Sequence, residues 1–304
     1  MRKDRREFLK VSVAASAATL VPDTISSDTT VAGGEVKNAG AFGVLVDTVL
    51  CVGCRQCERA CHKANGICEK DPESFSDRTL LESPRRPDEC AYTVVNRIAG
   101  TDPKYWMKMQ CMHCNEPACA SACIVGALTK DNRGPVVYDA WKCIGCRYCF
   151  LACPFDIPAY EYGNALNPQV RKCTFCYQRF GESEFQPACV SVCPGGALTF
   201  GTREELIDLA LLRMKRAPDK YVDDIYGRHE VGGTSWMYLA GVDFASTSLP
   251  RVGSQPISAL TEKIQHGVFK SFVPPLVLYG LLGLIMHSLR ENKQEVRENN
   301  EQQI

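Results

Sequence analysis

Cys143-Ile144-Gly145-Cys146-Arg147-Tyr148-Cys149-Phe150-Leu151-Ala152-Cys153-Pro154 is the stretch on which the fold of this chain turns. Its spacing is C-x2-C-x2-C-x3-C followed by Pro. Three thiolates on one tight turn match three irons of a [4Fe–4S] cube, and the fourth Cys, pointing away, matches a neighbouring cube. Gly145 lets the loop approach the inorganic core closely, so that backbone N–H groups reach its sulfurs.

The same run stands at Cys51, Cys54, Cys57 and Cys61, with Gly53 in the place of Gly145. Two variants keep its ending. Cys111, Cys114, Cys119 and Cys123 read C-x2-C-x4-C-x3-C, and Cys173, Cys176, Cys189 and Cys193 read C-x2-C-x12-C-x3-C. No position in the four groups is replaced, so sixteen thiolates are expected to hold four cubanes. Zinc fits this poorly, since a tetrahedral ion usually takes two C-x2-C pairs or Cys with His. Disulfides suit such regular, close spacing no better.

The groups are duplicated. Pro117-Ala118-Cys119-Ala120-Ser121-Ala122-Cys123-Ile124-Val125-Gly126-Ala127-Leu128 parallels Pro187-Ala188-Cys189-Val190-Ser191-Val192-Cys193-Pro194-Gly195-Gly196-Ala197-Leu198, and residues 47–61 parallel 139–153. Two copies of a two-motif unit therefore fill residues 47–200. Ala127-Leu128-Thr129, a turn at 131–134 and Val136-Val137-Tyr138 predict a β-hairpin. The fold class expected is α+β: two ferredoxin-like domains related by internal duplication, plus a C-terminal transmembrane helix.

The expected boundaries follow. Residues 1–40 form an export signal and linker, 41–110 the first motif with an insert, and 111–170 the second and third motifs. The fourth, 171–202, packs with the first; 203–270 is an extension, 271–289 a membrane anchor and 290–304 a polar tail. The signal is read from Arg5-Arg6 before the mildly apolar run 11–21, a twin-arginine pattern. The anchor is read from 271–289, which holds no Asp, Glu, Lys or Arg and spans roughly 28 Å as a helix of about 1.5 Å rise per residue. Together they predict a chain on the periplasmic face of the membrane with its tail inside.

Cys68 and Cys90 lie outside the groups, in a 49-residue insert where the second copy has 19 residues. They read as plain thiols, with a disulfide formed after export as the alternative. His62, His113 and His229 read as surface or packing residues. Thr202-Arg203-Glu204-Glu205 is a capping box opening a helix through Met214, with Ile207, Ala210, Leu211 and Met214 on one face. Among 304 residues, 35 Lys and Arg balance 35 Asp and Glu, which gives no basic excess for nucleic acid. No phosphate loop, dinucleotide fingerprint, nucleophile elbow or paired-carboxylate site is present, so no catalytic residue is expected.

With these motifs the chain resembles the four-cluster iron–sulfur subunits of membrane-bound complexes such as formate dehydrogenase N and dimethyl sulfoxide reductase. Leu50-Cys51-Val52-Gly53-Cys54, residues 200–206, Gly232-Gly233-Thr234 and residues 262–266 are most similar to the hydrogenase-2 type within that family. The resemblance implies a pairing of group one with group four and of group two with group three, which spacing leaves open. One cluster would take Cys51, Cys54, Cys57 and Cys193, and its neighbour Cys173, Cys176, Cys189 and Cys61. The other pair would take Cys143, Cys146, Cys149 with Cys123, and Cys111, Cys114, Cys119 with Cys153. It further implies a relay between a [NiFe] hydrogenase catalytic module, or a formate dehydrogenase one, and an integral membrane quinone-reactive subunit.

Overall fold

The structure is a computed structural model that describes residues 40–164, 167–183, 185–259 and 273–301, the last with side chains over 276–290. The expected export signal lies outside the described residues.

At the centre is strand β1 (Phe42–Asp47), flanked by β8 (Leu198–Thr202) on one side and β9 (Trp236–Leu239) on the other. β1 runs antiparallel to β8, with Val46 opposite Leu198, and parallel to β9, with Val44 opposite Trp236. Side chains alternate across a strand, and here the two faces do different work. Leu45, Met237 and Leu239 pack under helix α5 (Arg203–Arg216), against Leu206, Ala210 and Met214. Val44, Val46, Trp236 and Tyr238 face the other way, into a core shared with Cys111, Cys173 and Cys189.

Helix α5 begins with the expected capping box: Thr202 Oγ1 accepts from Glu205 N, and Thr202 N donates to Glu205 Oε2 at 3.0 Å. Its buried face differs by one position from the expected one. Leu206 is buried, whereas Leu211 is 41% exposed, because β1 approaches the first turn of the helix.

The remaining elements are short. α1 (Gln56–Asn65) follows β1; the hairpin of β2 (Thr93–Arg97) and β3 (Trp106–Gln110) sits in the insert. Next come α2 (Ala118–Ser121), the hairpin of β4 (Leu128–Lys130) and β5 (Val136–Tyr138), and α3 (Tyr148–Ala152). β6 (Ala159–Tyr160) pairs with β7 (Val170–Arg171), and α4 (Ala188–Ser191) precedes β8. The predicted β4–β5 hairpin is present, with Leu128 opposite Tyr138 and the Asp131 carboxylate accepting from Arg133 N at 2.8 Å.

The duplication is visible in strand register. Leu128 corresponds to Leu198 in the repeat, and Tyr138 to Val46. The β4–β5 pair, Leu128 with Tyr138, is thus reproduced by β8 and β1, Leu198 with Val46, although those strands lie at opposite ends of the repeat region.

The insert is joined by a disulfide between Cys68 and Cys90, Cα atoms 5.2 Å apart, which corrects the reading of the two as plain thiols. The chain leaves α1 through a left-handed turn at Gly66 (φ 55°) and returns by way of Ala91 into β2, and this folds the two positions together. Helix α6 (Val273–Glu301) contains residues 273–289 of the segment expected as an anchor. Among the described residues no helix is long and apolar enough to cross a membrane, so the expected transmembrane helix is not supported. Over 276–290 its described side chains are all exposed.

Candidate iron–sulfur site

Each cysteine group is a loop whose backbone is bent into the left-handed region. Gly53 and Gly145 have φ of 64° and 72°, and Arg55 and Arg147, two residues on, both stand at 61°. Equivalent positions of two distant segments thus share one backbone shape. The glycines are required on two counts. A Cβ at Gly53 would lie 2.7 Å from the Trp106 ring, and one at Gly145 2.7 Å from Tyr160 Oη; the positive φ would add strain of its own. In the variant groups the same bend falls on His113 (48°) and on Phe175 and Cys176 (58° and 53°).

The structure brings the sixteen thiols together across groups. Cys51 is electrostatically coupled to Cys193 and Cys54, and Cys57 to Cys189 and Cys51. Cys61 faces Cys173, Cys189 and Cys176. Cys114 faces Cys111, Cys153 and Cys119. Cys149 faces Cys143, Cys123 and Cys146. Electrostatic interaction also links Cys57 with Cys189, Cys173 with Cys111, and Cys119 with Cys149. Helix packing agrees, with α1 against α4 and α2 against α3.

Exposure changes along this line. Cys61, Cys173, Cys176 and Cys189 are all buried, as are Cys111 and Cys119. At one end Cys146 is exposed, beside Ile144 and Leu151. At the other, Cys51 and Cys54 are half-buried, beside exposed Val52.

Burial raises most of these thiols. It carries Cys51, Cys149 and Cys153 up to about 11 and Cys119 and Cys173 up to about 12, with neighbouring sulfurs adding to the effect. Backbone N–H groups oppose it: Gly53 N–H at Cys51, Phe150 N–H at Cys149, Phe155 and Ile157 N–H at Cys153. Ala127 N donates to Cys123 Sγ at 3.2 Å, and Phe175 N to Cys173 Sγ at 3.4 Å. Donors aimed at sulfur in a dry interior are what an anionic thiolate-bound cluster needs, so the residues fit the group. Among the described residues no three His, Cys, Asp or Glu converge as ligands of a single metal ion; a cubane instead distributes its four thiolates over four separate irons.

Two buried lysines, Lys108 and Lys172, and the half-buried Lys130 were not expected from the sequence. Lys130, whose pKa burial pulls down to about 8, donates to His113 O at 2.9 Å and Gly134 O at 2.5 Å. Lys172 donates to Val136 O at 2.5 Å and Cys173 O at 3.2 Å. Lys108 lies among Cys189, Cys57, Cys173 and Cys61; burial disfavours its charge, and the surrounding sulfurs more than offset this, leaving its pKa above the ordinary value. The signal in the sequence was a lysine alternating with Met107 and Met109 in a strand, which reads as a solvent-facing residue. His113, expected at the surface or in packing, is fully buried edge-on to Phe175, accepts from Val136 N at Nδ1, and is held neutral by burial and by Lys172 and Lys130. His62 packs against Phe75, and His229 is exposed.

The duplicated fold and its four cysteine loops define a protein that carries [4Fe–4S] clusters. A family described as the 4Fe-4S dicluster domain matches residues 104–203. The chain is 34% identical over 335 residues to the hydrogenase-2 operon protein HybA of Escherichia coli O157:H7, covering 98% of this chain and 99% of that protein. It is 31% identical over 272 residues to the formate dehydrogenase-O iron-sulfur subunit of Escherichia coli K12, covering 84% and 86%. A protein of Nitratidesulfovibrio vulgaris is 45% identical over 248 residues, 81% of this chain and 66% of the relative. This chain belongs to the family of iron–sulfur electron-transfer subunits that contains HybA and the formate dehydrogenase iron-sulfur subunits.

Proposed function

We propose that this chain relays electrons, one at a time, between a periplasmic [NiFe] hydrogenase catalytic module and a membrane subunit that reacts with quinone. The observation that carries the reading is the line of thiols: four sets in sequence, with Cys61, Cys173, Cys176 and Cys189 wholly buried between outer sets that include the half-buried Cys51 and Cys54 at one end and the exposed Cys146 at the other. The ligand sets are Cys51, Cys54, Cys57 and Cys193; Cys61, Cys173, Cys176 and Cys189; Cys111, Cys114, Cys119 and Cys153; Cys123, Cys143, Cys146 and Cys149. The clusters stand in the order group one, group four, group two, group three. Electrons enter at one end and leave at the other, and the site of Cys61, Cys173, Cys176 and Cys189 between them is insulated from water. The strand register supports this, since β8 and β1 stand to groups four and one as β4 and β5 stand to groups two and three.

End-to-end similarity to HybA supports the hydrogenase as partner. The Cys68–Cys90 disulfide supports a position outside the cytoplasm, because such bonds persist in oxidising compartments. The exposed apolar side chains of α6, among them Leu276, Leu278, Leu284, Met286 and Leu289, support a seat at the membrane, where lipid or a partner's helices would cover them. A formate dehydrogenase complex is the second reading, supported by the 31% identical relative.

The test is to extract membranes gently, capture this chain, and assay the complex for hydrogen-dependent and formate-dependent dye reduction. Hydrogen-dependent reduction with nickel present supports the hydrogenase. Formate-dependent reduction with molybdenum or tungsten moves the relay to the second complex, and a capture free of iron and acid-labile sulfide ends both readings.

A further inference from the structure

Trp106, Lys108 and Gln110 alternate on one face of β3. Lys108 is 2% exposed, and its Nζ lies 4.3 Å from the centroid of the Trp236 ring. The ammonium donates to Gln110 Oε1 at 2.9 Å. Gln110 is fixed in turn, its Nε2 donating to Tyr238 Oη at 2.7 Å, and Tyr238 Oη donating to the Lys108 carbonyl at 2.9 Å. This closed loop of hydrogen bonds holds the cation still.

No carboxylate pairs with Lys108 among the described residues. That is unusual, because a lysine this deeply buried normally needs a counter-charge. An ammonium has three donors. Lys130 and Lys172 direct theirs at backbone carbonyls, whereas Lys108 makes a single hydrogen bond, to the Gln110 side-chain amide, and otherwise lies over the Trp236 ring beside the cysteines. Its charged neighbours are Cys57 of group one, Cys173 and Cys189 of group four, and Cys61, the ligand that group one contributes to the group-four site. It also lines the cavity enclosed by Cys51, Cys54, Cys57 and Cys193.

We propose that Lys108 is a fixed counter-charge shared by the group-one and group-four clusters, and that it raises the reduction potential of both. The inference rests on the cluster reading above and goes beyond it by naming what sets the potential at one end of the relay. When an electron passes to either cube, the donor cluster is oxidised by one electron and the acceptor reduced by one; no bond breaks and no proton moves. The acceptor gains a negative charge. A cation held in a dry interior stabilises that reduced form more than the oxidised one. The group-three cluster, with the exposed ligand Cys146, is the internal reference.

The experiment is a redox titration followed by electron paramagnetic resonance on the detergent-extracted complex carrying Lys108→Met or Lys108→Arg. Iron and acid-labile sulfide are measured first. In a fully loaded Lys108→Met complex, the reduced-to-oxidised ratio of two of the four centres is expected to fall at least tenfold at fixed ambient potential, a shift of about 59 mV for a one-electron couple. In Lys108→Arg the potentials are expected to stay within that margin. Unmoved potentials in the loaded Met variant overturn the role of Lys108 and leave the relay standing. If Lys108→Met fails to retain iron while Lys108→Arg retains it, the charge is needed to hold the clusters and the proposal stands; loss of iron in both makes the residue a steric element and overturns it. A parent complex without iron–sulfur cores removes the cluster reading itself.

Discussion

Glu58 is a carboxylate of 4% side-chain exposure held between two guanidinium groups, Arg55 at 2.9 Å and Arg85 at 2.6 Å, and its Oε1 also accepts from Val95 N at 2.7 Å. It ties α1, which carries Cys57 and Cys61, to the insert. Burial alone would raise its pKa; the hydrogen bonds from Arg85 and Arg55 outweigh that and hold it below the usual carboxylate range. A carboxyl whose folded pKa lies below its unfolded value of about 4.3 contributes stability above that pH and loses it as pH falls through the folded value. Glu58→Gln, which leaves Arg55 buried without a counter-charge, is expected to cost about 3 kcal/mol at neutral pH and to flatten the acid limb below about pH 4. Thermal melts of parent and variant between neutral pH and acid check both. An equal loss at every pH would place the effect in packing rather than charge.

The insert, a short hairpin and two single-turn helices, buries Val94, Met107 and Met109 in the main core, and the Cys68–Cys90 disulfide, 22 residues apart in sequence, closes the loop from 68 to 90. Closing a loop of this size removes about 3 kcal/mol of unfolded-chain freedom. The Cys68→Ser, Cys90→Ser double variant is therefore expected to melt earlier by a corresponding amount, and treatment of the parent with a mild reductant should mimic it. Limited proteolysis should cut first within 68–90 in both cases. Helix α6 poses the opposite problem, apolar side chains exposed over 276–290 with nothing described against them. Deleting residues 271–304 is expected to release the chain from washed membranes in strains lacking its partner subunits. Retention of the truncated chain there would place the membrane contact elsewhere in the molecule.

For the molecule as a whole, the decisive relation in the proposed arrangement is that groups far apart in sequence share a site. The proposed ligand sets make a pointed prediction for Cys193→Ser: the cluster built from Cys51, Cys54 and Cys57 should change its spectrum or convert to a three-iron form, with the other three unaffected. The check is electron paramagnetic resonance of the purified complex together with iron content, about sixteen per chain in the parent. A change confined to the centre bound by Cys143, Cys146 and Cys149 would refute the pairing.

The cysteine groups, the glycines within them, the β4–β5 hairpin and the capping box of α5 could all be read from the chain, because each is decided within about a dozen residues by spacing, turn chemistry or a cap. The pairing of groups could not be read that way. Nineteen residues separate Cys123 from Cys143 and also Cys153 from Cys173, so local spacing is degenerate, and only long-range relations such as the register of β8 on β1 bear on the choice. The Cys68–Cys90 bond depends likewise on where the insert turns back. Lys108 is the clearest case: in sequence it is a polar residue in an alternating strand, and only the packing of β3 against β9 and the cysteine loops turns it inward. Tertiary structure decides whether a charge faces water or sulfur, because the dielectric environment of a side chain is set by what the rest of the chain brings around it.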